Sequence, residues 1–230
     1  MEKLLSNFTI SVHQSIYHKD PESSELGKRI IKHSIDLIHD IGFDAFTFKK
    51  LGVLIGSNES SIYRYFDNKH KLLVYLSSWY WAWLEYQLVI ETHSITNYVE
   101  KLKKGLYVTT RSIKEDSNFS HINEINLNKI IINENSKSFL TQEVDQENQD
   151  GYFKVYKRLV KRISDMVVLV APEYPFPNSL ASTVIETALH QHFIKDHFPT
   201  ITDCKNQNTP TKFITDLVFR TLNVDINENE

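Results

Sequence analysis

Apolar residues recur every three to four positions from Leu26 to Ile41. Leu26, Ile30, Leu37 and Ile41 form one stripe, with Ile31, Ile35 and Ile38 beside it. That period predicts an amphipathic helix with one face in a core. Asp20-Pro21 opens it as cap and first-turn proline, Glu22 and Glu25 suit its positive end, and Gly42 ends it. A short second helix starts at Thr47. Phe46 before it and Leu51 within it are spaced as a hydrophobic staple. Phe48, Leu51 and Ile55 face inward, and Gly56 follows where a tight turn wants a positive φ. The third helix, Glu59 to Phe66, has Asn58 as its cap. Ile62 and Phe66 share its inward face, whereas Ser60, Ser61 and Arg64 point away, with Tyr63 and Tyr65 on the flanks.

A long helix then runs from Asp67 or Asn68 to about Glu91. Its first turn holds Lys69, His70 and Lys71, cations at the wrong end of a helix dipole. The conflict points to a missing anionic partner, and a phosphate would suit both the free N–H groups and Lys69. Further helices are expected near residues 95–114, 120–134, 137–170, 179–197 and 210–223, with a break near Gly151. Ala171 to Pro177 is a rigid, proline-rich connector. Near the start, Phe8, Ile10 and Val12 alternate with polar residues, read as an arm lying on the body. The chain is therefore all-α. Residues 1–19 form the arm, 20–68 a three-helix domain, and 69–230 a larger helical domain joined to it by the long helix.

Composition narrows the function. Of 230 residues, 41% are hydrophobic and 24% charged, which is globular rather than disordered. No apolar run approaches the ~20 residues of a membrane span, and no secretory signal opens the chain, so the cytoplasm is the expected compartment. A single cysteine, Cys204, makes neither an internal disulfide nor a cysteine-based zinc site. The net charge is −3, yet residues 26–75 carry eight cations against five carboxylates, a surplus of three. That is the balance of a basic reading head on an acidic body.

Each candidate feature has a plain structural alternative. Tyr63, Tyr65 and Arg64 either reach DNA or pack and solvate the motif. Lys69 either binds phosphate or is an ordinary surface charge. The aromatic run around Trp79 and Trp83, with Tyr86, is core by default. Its members cannot all face one way, so some could line a ligand cavity, joined by Phe119, Phe153 and Tyr156. His190, His192 and His197 lack the cysteine or carboxylate partners of a metal site, and no metal or cofactor is expected. Leu180, Val184, Ala188 and His192 form one stripe and Phe213, Leu217 and Arg220 another, which suits either an ordinary core or two-fold pairing. No nucleophile elbow, phosphate loop or spaced carboxylate pair supports an enzyme.

The turn and third helix carry a resemblance. Gly42, Thr47, Leu51-Gly52, Ile55-Gly56-Ser57, Asn58, Ile62-Tyr63-Arg64-Tyr65-Phe66 and Lys69-His70-Lys71-Leu72 fall at the spacing of the TetR family of bacterial transcriptional regulators. Ser57, Gly52 and His70 depart from its pattern, and the first two are expected to loosen the motif. The resemblance implies a helix-turn-helix in which Tyr63, Tyr65, Lys69 and Thr47 touch DNA, with Ser60 and Ser61 in the sequence-reading part. It also implies a homodimer through the last two helices, residues 179–197 and 210–223. The partners would be a near-palindromic duplex operator and a small-molecule effector, and the protein a repressor released by that effector. The alternative is a DNA-bound scaffold whose body meets a protein.

Overall fold

A computed structural model describes residues 10–113 and 121–225. Among them every regular element is helical. The α-helices are α1 (Glu25–Ala45), α2 (Phe48–Leu54), α3 (Glu59–Tyr63), α4 (Lys69–Thr92), α5 (Tyr98–Thr110), α6 (Glu124–Glu134), α7 (Val144–Gln149), α8 (Lys154–Val170), α9 (Pro177–His197) and α10 (Thr209–Leu222). The chain forms two compact units. The first holds residues 1–82 and 113–154, the second 83–112 and 155–230. The boundary therefore falls inside α4 and not at its start, and residues 113–154 return to the first unit.

In the first unit, α1 packs on α6 and α2, and α2 packs on α3. The helix expected from Asp20-Pro21 starts later. Pro21–Ser23 is a 3₁₀ turn capped by Asp20, and Ser24 caps α1 by accepting from the Gly27 N–H at 3.2 Å. Residues 10–19 form a packed strap, because Ile10, Val12 and Ile16 are all buried. The strap is tied down where the His18 N–H donates to the Tyr65 carbonyl at 2.9 Å and the Ser15 hydroxyl donates to the Asp150 carbonyl at 3.2 Å. The break expected near Gly151 in the 137–170 segment is present: Gly151 sits at φ 89° between α7 and α8, and a 3₁₀ turn at Asn135–Ser138 precedes them.

In the second unit, α5, α9 and α10 pack on one another. Leu180, Val184, Ala188 and His192 are buried within it. The His192 Nε2 lies 2.9 Å from the Thr110 carbonyl of α5. Burial holds the pKa of this imidazole below its ordinary value, although the Thr110 hydrogen bond opposes that shift. That stripe of α9 is thus core of this chain, whereas Phe213 and Leu217 of α10 remain exposed. The second unit also places Glu85 of α4 against two arginines of α8. The Arg158 Nε and Nη2 donate to it at 2.7 and 2.5 Å, and the Arg162 Nε at 2.5 Å.

α4 is buried nearly all round from Leu72 to Glu85, with Ala82 alone half-buried. A helix apolar on every side belongs inside. Trp79, Tyr80, Trp81 and Trp83 lie in this buried stretch. None of the described residues forms a helix long and apolar enough to cross a membrane.

Candidate nucleic-acid interface

The turn between α2 and α3 is built by backbone geometry. Gly56 sits at φ 63°, and Ser57 N–H donates to Gly52 O at 2.9 Å while Gly56 N–H donates to Val53 O at 3.3 Å. These paired bonds close the end of a helix around a left-handed residue. Gly52 is required there: a Cβ on it would stand 2.8 Å from the Ser57 carbonyl oxygen. What reads in sequence as a loosening departure is the close approach that makes the turn tight. The Arg29 Nη2 donates to the Ile55 carbonyl at 3.1 Å, satisfying an acceptor at the same helix end.

The two flanking helices are capped as their sequences require. The Thr47 Oγ1 accepts from the Lys50 N–H at 3.2 Å. The Asn58 Oδ1 accepts from the Ser61 N–H at 2.9 Å and from both serine hydroxyls, Ser60 Oγ at 2.8 Å and Ser61 Oγ at 2.6 Å. Ser60 and Ser61 therefore brace the cap, with Ser60 exposed and Ser61 half-buried. Ile62 and Phe66 are fully buried and anchor α3.

The outward groups separate in the structure. Tyr63 is 47% exposed, with its ring edge-on to Phe48 at 5.1 Å and its hydroxyl donating to the Glu59 carboxylate at 3.3 Å. Arg64 is exposed, and its side chain makes no hydrogen bond or ion pair among the described residues. Tyr65, expected on a DNA-facing flank, is only 2% exposed. Its hydroxyl meets the Ser24 Oγ at 2.7 Å, and the Lys19 ammonium lies 5.2 Å over its ring. Tyr65 stands at the edge of the Ile62–Phe66 face, and Ser24 and Lys19, far along the chain, cover it. Tyr65→Phe is expected to cost about 1 kcal/mol of stability through the lost Ser24 bond, measured by urea unfolding.

Lys69 also finds its partner inside the unit. Its Nζ donates to the carbonyls of Phe43, Asp44 and Phe46 at 3.0, 3.1 and 3.4 Å, and lies 4.8 Å over the Phe43 ring. These carbonyls sit where the chain leaves α1, so a lysine misplaced on its own helix caps the negative end of another. His70 lies 2.8 Å from the Glu147 Oε1, and the Lys71 ammonium contacts the Tyr152 hydroxyl. The first turn of α4 is thus satisfied by α1 and by the segment around α7.

Sequence periodicity overlooked three exposed groups beside the turn. Lys49 is exposed without a partner among the described residues. Val53 and Leu54 are exposed apolar residues at the end of α2. For Lys49 and Val53 the helical angle, opposite Leu51, is the signal that could have found them; Leu54 lies beside Leu51 and offered none.

The aromatic candidates for a ligand pocket do not share one unit. Trp79 and Phe153 belong to the first, and Trp83, Tyr86 and Tyr156 to the second. Phe119 lies outside the described residues. The Tyr156 hydroxyl donates to the Glu186 Oε1 at 2.6 Å; burial raises its pKa, and that bond raises it further. A cavity of about 250 Å³ in the second unit is lined by Leu88, Met166, Leu169, His93, Lys101 and Arg162 among others. None of the five described aromatic candidates lines it.

Residues 30–76, about a fifth of the chain, match the bacterial regulatory proteins of the tetR family. No curated protein gives a significant match. Solved structures also align with the chain. The crystal structure of AibR in complex with isovaleryl coenzyme A and operator DNA aligns with TM-score 0.50 and 17% identity, over 84% of this chain and 97% of that one. The crystal structure of apo AibR aligns with TM-score 0.49 and 15% identity, over 84% and 96%.

Proposed function

We propose, from the premise that the chain carries the DNA-binding segment of the TetR-family transcriptional regulators over residues 30–76, that it is a homodimeric repressor released by a small molecule. The observation that carries this reading is the exposed edge of α3 and α2. Ser60, Tyr63 and Arg64 stand there with Lys49, on helices anchored by Leu51, Ile62 and Phe66. Hydroxyls, a phenol and a guanidinium suit base edges and phosphates. A short anchored helix with that face fits the major groove, and two copies read a near-palindromic operator.

The roles then divide by availability. Arg64 reads bases or phosphate, Tyr63 and Lys49 grip the backbone, and Thr47, Ser60 and Ser61 hold the helix starts while offering their hydroxyls. Tyr65 and Lys69 act from within, by holding α3 and the end of α1 in place. Dimerisation uses the last two helices through Phe213 and Leu217 of α10, because the matching stripe of α9 is spent on the core. AibR, of the same fold, was crystallised with an acyl-coenzyme A and operator DNA. By analogy an effector enters the second unit, where the 250 Å³ cavity offers apolar walls and the cations Lys101 and Arg162. Release requires that the effector bind the DNA-free state better than the DNA-bound one.

Selection of bound duplexes from random sequence tests the reading directly, followed by a screen for small molecules that release them. Enrichment of a two-fold symmetric site is expected, and no enrichment over unselected DNA would sink it. Against that site, Arg64→Ala is expected to weaken binding by 1–3 kcal/mol, roughly ten- to a hundredfold. Lys49→Ala should weaken all sequences alike and lower the salt slope by about 1. Lys69→Met should leave that slope unchanged and lower stability by about 1–2 kcal/mol instead.

A further inference from the structure

The first unit contains a second cavity, of about 290 Å³, beneath the strap. Its walls come from Ile10, Tyr17, Asp20, Glu22 and Tyr75, with no lysine or arginine in the lining. Asp20 uses its Oδ1 to accept from the Glu22 N–H at 2.9 Å, and the Glu22 Oε1 lies 2.8 Å from the His121 Nε2. The other oxygen of each carboxylate makes no hydrogen bond among the described residues.

The two phenols supply an independent indication. Tyr75 is 1% exposed, lines this cavity and has no hydrogen-bond partner among the described residues. Tyrosine hydroxyls sealed in a core ordinarily find a partner, so this one is left to the open space of the cavity. Burial raises its pKa well above the ordinary value, and the charges of Glu22 and Asp20 raise it further, which places the hydroxyl in the field of those two carboxylates. The Tyr17 ring meets the Tyr75 ring edge-on at 5.9 Å, and its hydroxyl likewise has no partner among the described residues. Burial and the Asp20 charge raise its pKa too. Both phenols therefore stay neutral, as acceptors and π faces, in a cavity shared with the exposed Asp20 and with Glu22, which His121 meets from one side. Such a chamber favours a cation, through carboxylate contacts and attraction to ring faces.

We propose that this cavity binds a small organic cation, an alkylammonium ion whose nitrogen meets Asp20, Glu22 and the Tyr75 hydroxyl while its carbon chain lies against Ile10 and Tyr17. The site lies wholly in the first unit and is distinct from the effector cavity. Its test needs no DNA, so its outcome is independent of the regulatory reading. Binding of n-butylammonium chloride to the full chain, followed by titration calorimetry, should be saturable at one site per chain. Sodium butyrate, matched in size and opposite in charge, should not bind. Asp20→Asn keeps the cap acceptor and removes the charge; Tyr75→Phe removes only the hydroxyl. Each should weaken n-butylammonium at least about tenfold, the loss of roughly 1.5 kcal/mol or more expected for a hydrogen bond to a charged group. Folding of both variants is checked by thermal melting, with Glu22→Gln as a third variant should either melt early. Absence of saturable binding would overturn the proposal and leave the cavity a water-filled one. So would equal affinity in the variants, or butyrate binding as tightly as the cation.

Discussion

Gly27→Ala is expected to destabilise the protein by about 3 kcal/mol or more, although it adds one methyl group. A Cβ on Gly27 would stand 2.2 Å from the Pro21 carbonyl oxygen and 2.7 Å from its Cα. Both are backbone atoms of the 3₁₀ turn that precedes α1, so no side-chain rotation relieves the clash. The turn must move, and with it the Asp20 cap and the Ser24 cap that also contacts Tyr65. Gly105→Ala, the same chemical change in the second unit, is expected to cost under about 1 kcal/mol. There the new methyl would meet the Met166 Sδ at 2.8 Å, the end of a flexible thioether that can shift. Urea unfolding of the two variants decides the matter. Equal losses would mean that the approach of Pro21 to α1 is looser than the structure has it.

Glu85→Ala is expected to cost about 2 kcal/mol. The carboxylate is 7% exposed and accepts from Arg158 and Arg162. Stripping a buried charge pair of one partner costs roughly 3–5 kcal/mol. The discount follows from the guanidinium groups, which are 55% and 43% exposed and can turn to water when the carboxylate is gone. Burial alone would raise the pKa of Glu85, but the hydrogen bonds and charges of the two arginines outweigh it and hold the pKa below its ordinary value. A folded-state pKa below the unfolded one adds stability when the group is ionised. That contribution is complete above the ordinary glutamate range and is lost as pH falls through the lower folded value. The gap in unfolding free energy between wild type and Glu85→Gln should therefore be widest near neutrality and shrink in acid. A gap independent of pH would exclude ionic pairing as its source.

Much of the reading head was legible without coordinates. Thr47 and Asn58 cap α2 and α3, Phe46 and Leu51 are buried as a staple, and Ile62 and Phe66 anchor α3. Each rests on groups within one or two helical turns, where side-chain direction follows from residue spacing. Legibility failed where a partner lies far along the chain, as Ser24 does for Tyr65. Lys69 is capped by carbonyls more than twenty residues away, and Leu180 to His192 is claimed by α5 and α10.

By itself, then, the sequence determined that residues 42–73 form two short capped helices around a glycine turn and enter a third. That follows because caps, staples and turns are satisfied by near neighbours. Only the tertiary structure decided which outward groups remain free. It paired Lys69 with the end of α1, buried Tyr65 beside Ser24, and left Arg64 and Lys49 in solvent. Those outcomes depend on which distant backbone or charge arrives at each side chain, and a helical period carries no information about arrivals.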